Sequence, residues 1–188
     1  NRNYPILLTR DIEKARVWLR EKARGNERTG MLLTKAAARY QPHAVHVLPN
    51  DDQNAIVWFL EDTDHIHSSN FLEDAATEIQ VQGLELDFTC VLWDADMRKE
   101  MNDWCYYKFT GGKKWSPVAN TENGNEEKKY MLNAYRVLLT RARQGMIICV
   151  PKGNNRKDDN GFPEDSTRLP EYYDGTYEYF KSLGLQEI

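Results

Sequence analysis

Long apolar runs are missing from this 188-residue chain: the two longest are Ala55 to Leu60 and Met146 to Val150. Both fall far short of the roughly 20 residues that a membrane-spanning helix requires. The expectation is therefore a soluble, cytoplasmic protein with no membrane partner. Cysteine is scarce as well. Cys90, Cys105 and Cys149 form an odd set without Cys-x-x-Cys spacing, which excludes a disulfide framework or a zinc ribbon and predicts reduced thiols, two of them buried in apolar runs. The opening Asn1-Arg2-Asn3-Tyr4-Pro5 has neither an initiator Met nor a basic-then-apolar leader, so no signal peptide is expected and the polypeptide is predicted to begin inside a longer one. An excess of positive charge is also absent, with 25 basic against 29 acidic residues and a net charge of −4.

That charge is unevenly spread. Residues 1–50 carry +6, residues 51–100 carry −11, residues 101–150 carry +4 and the remainder −3. An anion-binding surface should come from the first and third quarters. The length suits one compact domain.

Apolar periodicity outlines an α/β order. Ile6-Leu7-Leu8 reads as a strand, and Thr9 as the N-cap of a helix marked by Ile12, Ala15, Trp18 and Leu19 and closed by Gly25-Asn26. Met31-Leu32-Leu33 reads as a strand, Lys35 to Arg39 as a short helix, and Pro49-Asn50-Asp51-Asp52 as a turn. Ile56-Val57-Trp58-Phe59-Leu60, rich in β-branched and aromatic residues, reads as a buried strand, and so does Phe88 to Trp93. Residues 97 to 125 break the rhythm with Gly111-Gly112, Pro117 and Asn123-Gly124-Asn125, as a hairpin or irregular insertion would. A helix of roughly 15 residues from Glu126 then feeds the strand Met146 to Val150, and a Tyr-rich helix is expected between Glu171 and Leu185. Strands alternating with helices predict an α/β fold with a mostly parallel sheet.

Two segments carry candidate chemistry. In Thr77-Glu78-Ile79-Gln80-Val81-Gln82-Gly83-Leu84-Glu85-Leu86-Asp87, Gly83 between a strand and an acid lets backbone approach a ligand, while a carboxylate can accept from a ribose hydroxyl. A tight turn could use the same glycine. The second segment is Asn133 to Ile148, and on the helix that leads into it Lys129, Asn133, Arg136, Thr140 and Arg143 fall on one side as a solvated face. Arg141 sits at the margin of the apolar stripe instead, where its planar fork suits phosphoryl oxygens.

Together, Thr77-x5-Gly83-Leu84-Glu85 and Leu138-Leu139-Thr140-Arg141-Ala142-Arg143-Gln144-Gly145 resemble motifs V and VI of superfamily 1 helicases. The wording, with Trp18-Leu19-Arg20, Trp58-Phe59-Leu60, Trp93-Asp94-Ala95-Asp96, Thr167-Arg168 and Tyr173-Asp174 around it, resembles the Schlafen group-3-like DNA/RNA helicase family over nearly the whole chain. The resemblance implies a RecA-like domain of P-loop NTPase type spanning residues 1–188, with a C-terminal extension from about residue 152. It would be the second motor domain of an ATP-dependent helicase or translocase. It implies Arg141 as an arginine finger, Gln82, Gly83, Glu85 and Arg143 at the nucleotide, and Thr77 at a nucleic-acid backbone, with Lys35 and Arg39 feeding a groove for the strand. Arg143 could instead tether Glu85. ATP and Mg²⁺ would be held mainly by an N-terminal RecA-like domain of the same protein, and single-stranded nucleic acid would be the partner.

The pattern departs from the family's in two places. Gly111-Gly112-Lys113-Lys114 is no GxxxxGK[ST] loop, since Tyr107 and Lys114 stand where Gly and Ser or Thr are needed. Hydrolysis by this chain alone is not expected. Ile79 stands where superfamily 1 motif V often has His.

Rival readings remain. Asp94-Ala95-Asp96 could be the divalent-metal pair of a nucleotide-sugar transferase. A RecA-like interaction domain without catalysis could present Trp104, Tyr106, Tyr107, Phe109 and Trp115, although a satellite core explains them as well. His65-Ile66-His67 lacks a third ligand and reads as polar surface. Ser68-Ser69 has no recognisable triad partner.

Overall fold

The computed structural model describes residues 4–188 apart from residues 38, 50 and 63, with Asp52 described by its backbone alone. The opening Asn1-Arg2-Asn3 and the predicted turn residue Asn50 lie outside the described residues. Seven strands form the main sheet. In chain order they are β1 (Ile6–Thr9), β2 (Thr29–Leu33), β3 (His46–Val47), β4 (Asp74–Thr77), β5 (Leu86–Leu92), β9 (Ala142–Cys149) and β10 (Gln186–Glu187), arranged as β10-β1-β9-β5-β2-β4-β3. Their described ladders are all parallel. Three more strands, β6 (Met97–Glu100), β7 (Asp103–Thr110) and β8 (Lys114–Pro117), make a separate antiparallel sheet.

Strand alternation divides the core into two layers. Leu7, Met31, Leu33, Cys90, Leu92, Ile147 and Cys149 face α1 (Ile12–Lys22), where Ala15, Trp18 and Leu19 bury their stripe. Leu8, Leu32, Val91, Ile148 and Val150 face the opposite layer, which holds Trp58 of α2 (Asp52–Leu60), Tyr135 and Leu138 of α3 (Glu122–Leu138) and Phe180 of α4 (Asp174–Ser182). Helices on both faces of a parallel sheet make this a three-layer α/β fold, consistent with a RecA-like domain. No described helix is long and apolar enough to cross a membrane. Cys90 and Cys149 are buried free thiols, and burial pushes both thiols up, Cys149 to about 12.

Several elements differ from the sequence-based expectation. Ile56 to Leu60 is helical. Asp51 caps that helix by accepting from the Asn54 N–H at 2.8 Å, and the helix joins β3 to its parallel neighbour β4, a link that needs a crossover. Trp58 is buried against the sheet, its indole donating to the Asp74 carbonyl at 3.1 Å and lying so close to Gly30 that a Cβ there would stand 2.8 Å from the ring, while Phe59 is only partly buried on the same core. Asp11, not Thr9, caps α1, which ends at Lys22 ahead of Gly25. Lys35 to Arg39 is not a helix. Its described part is a turn closed by the Ala37 N–H on the Thr34 carbonyl, while Ala38 lies outside the described residues. The long helix starts four residues earlier than expected, capped by Thr121, because Gly124 belongs to its first turn and a Cβ there would meet the Ala119 carbonyl oxygen at 2.0 Å. It also ends at Leu138, which leaves Thr140 and Arg141 in the connection to β9.

Candidate functional site at the amino edge of the sheet

Chain direction separates the candidate residues. Leu33 pairs with Thr77 at the carboxyl end of β2, whereas Thr29 pairs with Phe88 at its amino end. Residues 78–85 therefore run the length of the sheet, from Thr77 on the carboxyl edge to Glu85 on the amino edge. Arg141, which immediately precedes β9, reaches the same amino edge, where its carbonyl accepts from the Leu86 N–H at 3.0 Å.

The two candidate segments meet at Arg141. Its guanidinium donates to the carbonyls of Val137 (3.1 Å), Leu84 (3.3 Å) and Val81 (3.5 Å) and to the Thr140 hydroxyl (3.2 Å). Val81 and Leu84 bracket Gln82 and Gly83, so the arginine lies across the glycine turn. Gly83 has φ +80°, and a Cβ on it would meet nothing within 4 Å. It is the backbone conformation that favours glycine, and the space beyond the turn is open. Gln82, Gly83 and Glu85 are exposed and Arg141 is half-buried. The bonds at 3.3 and 3.5 Å are longer than a good N–H···O contact, so a charged phosphoryl oxygen can compete for those donors.

Arg143 does not tether Glu85. Its guanidinium pairs with Asp87 at 2.7 Å, a buried carboxylate that also accepts from the Arg28 N–H at 2.8 Å and the Gln144 amide at 3.0 Å. Burial works against ionisation of Asp87, but the donors from Gln144, Arg28 and Arg143 outweigh it and hold the carboxyl below its ordinary range. Asp87 is thus a hub that sequence reasoning missed. Its one signal was an acid between Leu86 and Phe88 at the start of a buried strand. The same edge carries a cleft of about 610 Å³ lined by Gly25, Asn26, Arg28, Asp62, Asp64 and Asn70.

Thr77, Lys35 and Arg39 lie on the carboxyl edge, away from Arg141. Thr77 is buried, and both its N–H and its hydroxyl donate to the Gln80 side-chain oxygen at 2.9 and 3.1 Å. Lys35 is exposed, its N–H donating to buried Glu78 at 2.7 Å, which also accepts from the Tyr130 hydroxyl. The Arg39 guanidinium pairs with Asp165 at 3.0 Å and lies 5.5 Å from the Phe109 ring centre.

The acidic pair after β5 faces inward, not toward a metal. Asp96 accepts from the Thr34 hydroxyl at 2.7 Å and the Tyr135 hydroxyl at 2.6 Å, and Asp94 accepts from the Tyr173 hydroxyl at 3.1 Å and the Arg39 N–H at 2.9 Å. Burial first, then the neighbouring Asp94 charge, raises the Asp96 carboxyl to about 6. Hydroxyl donors on both acids explain their burial and withdraw the transferase reading. Trp104, Tyr106 and Trp115 pack on the main core and do not form a separate satellite core. His67 binds Asp74 at 2.7 Å, and the Ser68 hydroxyl donates to the Glu61 carbonyl.

A family model described as Schlafen group 3, DNA/RNA helicase domain matches residues 1–152. The chain belongs to that family. The match takes in β1 to β9 and both candidate segments, and leaves α4 and β10 beyond it. No curated protein and no solved structure gives a significant match. Membership in this Schlafen helicase-domain family suggests a helicase-like, nucleic-acid-binding domain.

Proposed function

We propose that this domain is the second motor domain of an ATP-dependent helicase or translocase, with the amino edge of its sheet facing the nucleotide. One observation carries the reading: Arg141 and the Gly83 turn, some 60 residues apart in sequence, lie against each other on one edge. ATP with Mg²⁺, held mainly by an N-terminal RecA-like domain of the same protein, supplies the phosphoryl group. The residues of this chain suit that ligand, because the Gly83 turn opens onto free space and two of the four hydrogen bonds of the guanidinium beside it are long. Arg141 neutralises charge on the transferred group, an effect of roughly 10³ to 10⁵ in rate where comparable arginines act. Gln82, Gly83 and Glu85 line the approach, and Asp87 orients Arg143 beside it.

The carboxyl edge takes the nucleic acid in this reading. Lys35 offers its ammonium there, Arg39 braces the neighbouring loop, and Thr77 keeps the start of the turn in register through Gln80. A turn that runs from one edge to the other links nucleotide and strand through a single short segment, so domain closure at one edge is felt at the other.

Arg141→Ala in the full-length protein tests the assignment. Turnover of ATP is expected to fall by at least 10³-fold while the thermal midpoint stays close to that of the wild type. Turnover at the wild-type rate would refute the finger.

A further inference from the structure

We propose that Phe162 is a base-stacking finger for single-stranded nucleic acid, presented on a rigid hairpin that lies outside the family-matched residues. The inference rests on the nucleic-acid half of the function proposed above and adds a contact that neither helicase motif supplies.

The hairpin leaves the carboxyl edge of β9 at Pro151 and turns at residues 158–162. Lys157 pairs with Pro163 in an antiparallel bridge. The Asp158 carboxylate accepts from the N–H groups of Asn160 and Phe162, both at 2.9 Å, while the Asp158 N–H donates to the Phe162 carbonyl at 2.8 Å. The Gly161 N–H donates to the Asp158 carbonyl at 2.9 Å, with Gly161 at φ +82°. Backbone bonding on this scale fixes the tip. Its base is fixed too. Asp165 pairs with both Arg39 and Arg168, and the Trp115 indole donates to the Thr167 carbonyl at 2.8 Å. Those ties place the hairpin beside the loop after β2, which carries Lys35, and beside the β7–β8 hairpin, whose tip carries exposed Lys113 and Lys114.

Phe162 itself is 68% exposed. Leaving a Phe ring in water forgoes the stabilisation its burial would bring, and nothing in the turn requires a ring at that position. Exposed Arg156 and Lys157 stand nearby, together with the exposed acids Asp158, Asp159 and Glu164. A protein-docking surface would offer a contiguous apolar patch, whereas here one aromatic stands among ions. An exposed ring beside loops that carry Lys35, Lys113 and Lys114 can receive a stacked base while the phosphates meet those ammonium groups. Because acids outnumber bases at the tip, the ring and not the local field supplies the contact, so its contribution is insensitive to salt.

The test is fluorescence anisotropy of the full-length protein with a labelled oligo-dT strand and with an abasic strand of equal length. Phe162→Ala is expected to weaken oligo-dT binding by about 5- to 150-fold without changing the slope against salt, and Phe162→Trp to retain it. On the abasic strand, wild type and Phe162→Ala should bind alike. Equal oligo-dT affinity for Phe162→Ala and wild type overturns the stacking finger alone, and is the outcome expected if the ring instead docks a protein. A wild-type protein that binds neither strand overturns the nucleic-acid reading and this inference with it. Strand binding is measured without ATP, so failure of the nucleotide assignment is scored separately, by turnover.

Discussion

Arg141 works through geometry that a point charge cannot copy. Its planar fork spans the carbonyls of Val81 and Leu84, and a lysine offers one compact ammonium at the end of a flexible stem. Arg141→Lys is therefore expected to leave ATP turnover nearly as low as Arg141→Ala, which steady-state kinetics of the full-length protein will check. Asp96 poses the opposite problem, a carboxyl enclosed by protein. Its value rises from 3.8 to about 6 through burial and the nearby Asp94 charge. A group raised on folding stabilises fully below its unfolded value and loses that contribution as pH climbs through its folded value. Between about pH 4 and pH 6 wild type should thus lose stability on the order of 3 kcal/mol, and Asp96→Asn should remove that slope. Thermal midpoints across that window decide the matter. If the variant keeps the wild-type pH profile, Asp96 is not the group that titrates.

Among the elements, α2 and α3 are defined at their first turns more than by their apolar patterns. Thr121 accepts from the Gly124 N–H at 3.2 Å, and loss of such a cap costs about 1 kcal/mol. Thr121→Ala should lower the unfolding free energy by that amount in a urea titration. Gly124→Ala should cost more, since its Cβ would stand 2.0 Å from a backbone oxygen that cannot swing away. The pattern Ile56-Val57-Trp58-Phe59-Leu60 satisfies a strand and a helix alike, because α2 is apolar nearly all round while only Trp58 is fully inside. The cap at Asp51 and the need to cross over between parallel neighbours decided for helix. The Asn123-Gly124-Asn125 triplet misled for a related reason: a glycine demanded by close approach looks the same in sequence as a glycine demanded by a turn.

At the scale of the whole molecule, the antiparallel insertion and the C-terminal segment pack on the sheet through Met97, Trp104, Tyr173 and Phe180, and charged contacts join them further. Arg98 lies between the rings of Tyr107 (3.9 Å) and Tyr172 (3.8 Å) and donates to the Ala95 carbonyl. Asp165 gathers Arg39 from one loop and Arg168 from another. Burial opposes ionisation of Asp165, but donors from Thr167, Arg168 and Arg39 prevail and hold it well below the ordinary carboxylate range. A depressed carboxyl stabilises above its unfolded value and ceases to do so as pH falls. Asp165→Asn should accordingly lower the thermal midpoint at pH 7 and lower it progressively less as pH falls below about 4, markedly so only near pH 2, because the folded group stays ionised well below its unfolded value. An equal loss at pH 7 and near pH 2 would mean that packing, and not charge, joins these segments.

Apart from α2 and the loop after β2, the alternation of strands and helices, the parallel sheet and the buried thiols were legible in the sequence, because burial on both faces and amphipathic spacing are local properties of the chain. The motif residues Gly83 and Arg141 were legible too, as residue types. Tertiary structure decided what surrounds them. Chain direction put Thr77, Lys35 and Arg39 on one edge and Arg141 with the Gly83 turn on the other, and spacing along the chain cannot report which end of a strand a loop occupies. Partners were decided the same way: Arg143 found Asp87 and not Glu85, and Asp94 and Asp96 met tyrosine hydroxyls from distant helices and not solvent. A charged group takes whichever partner the completed fold sets within about 3 Å of it, and that distance exists only after the layers have packed.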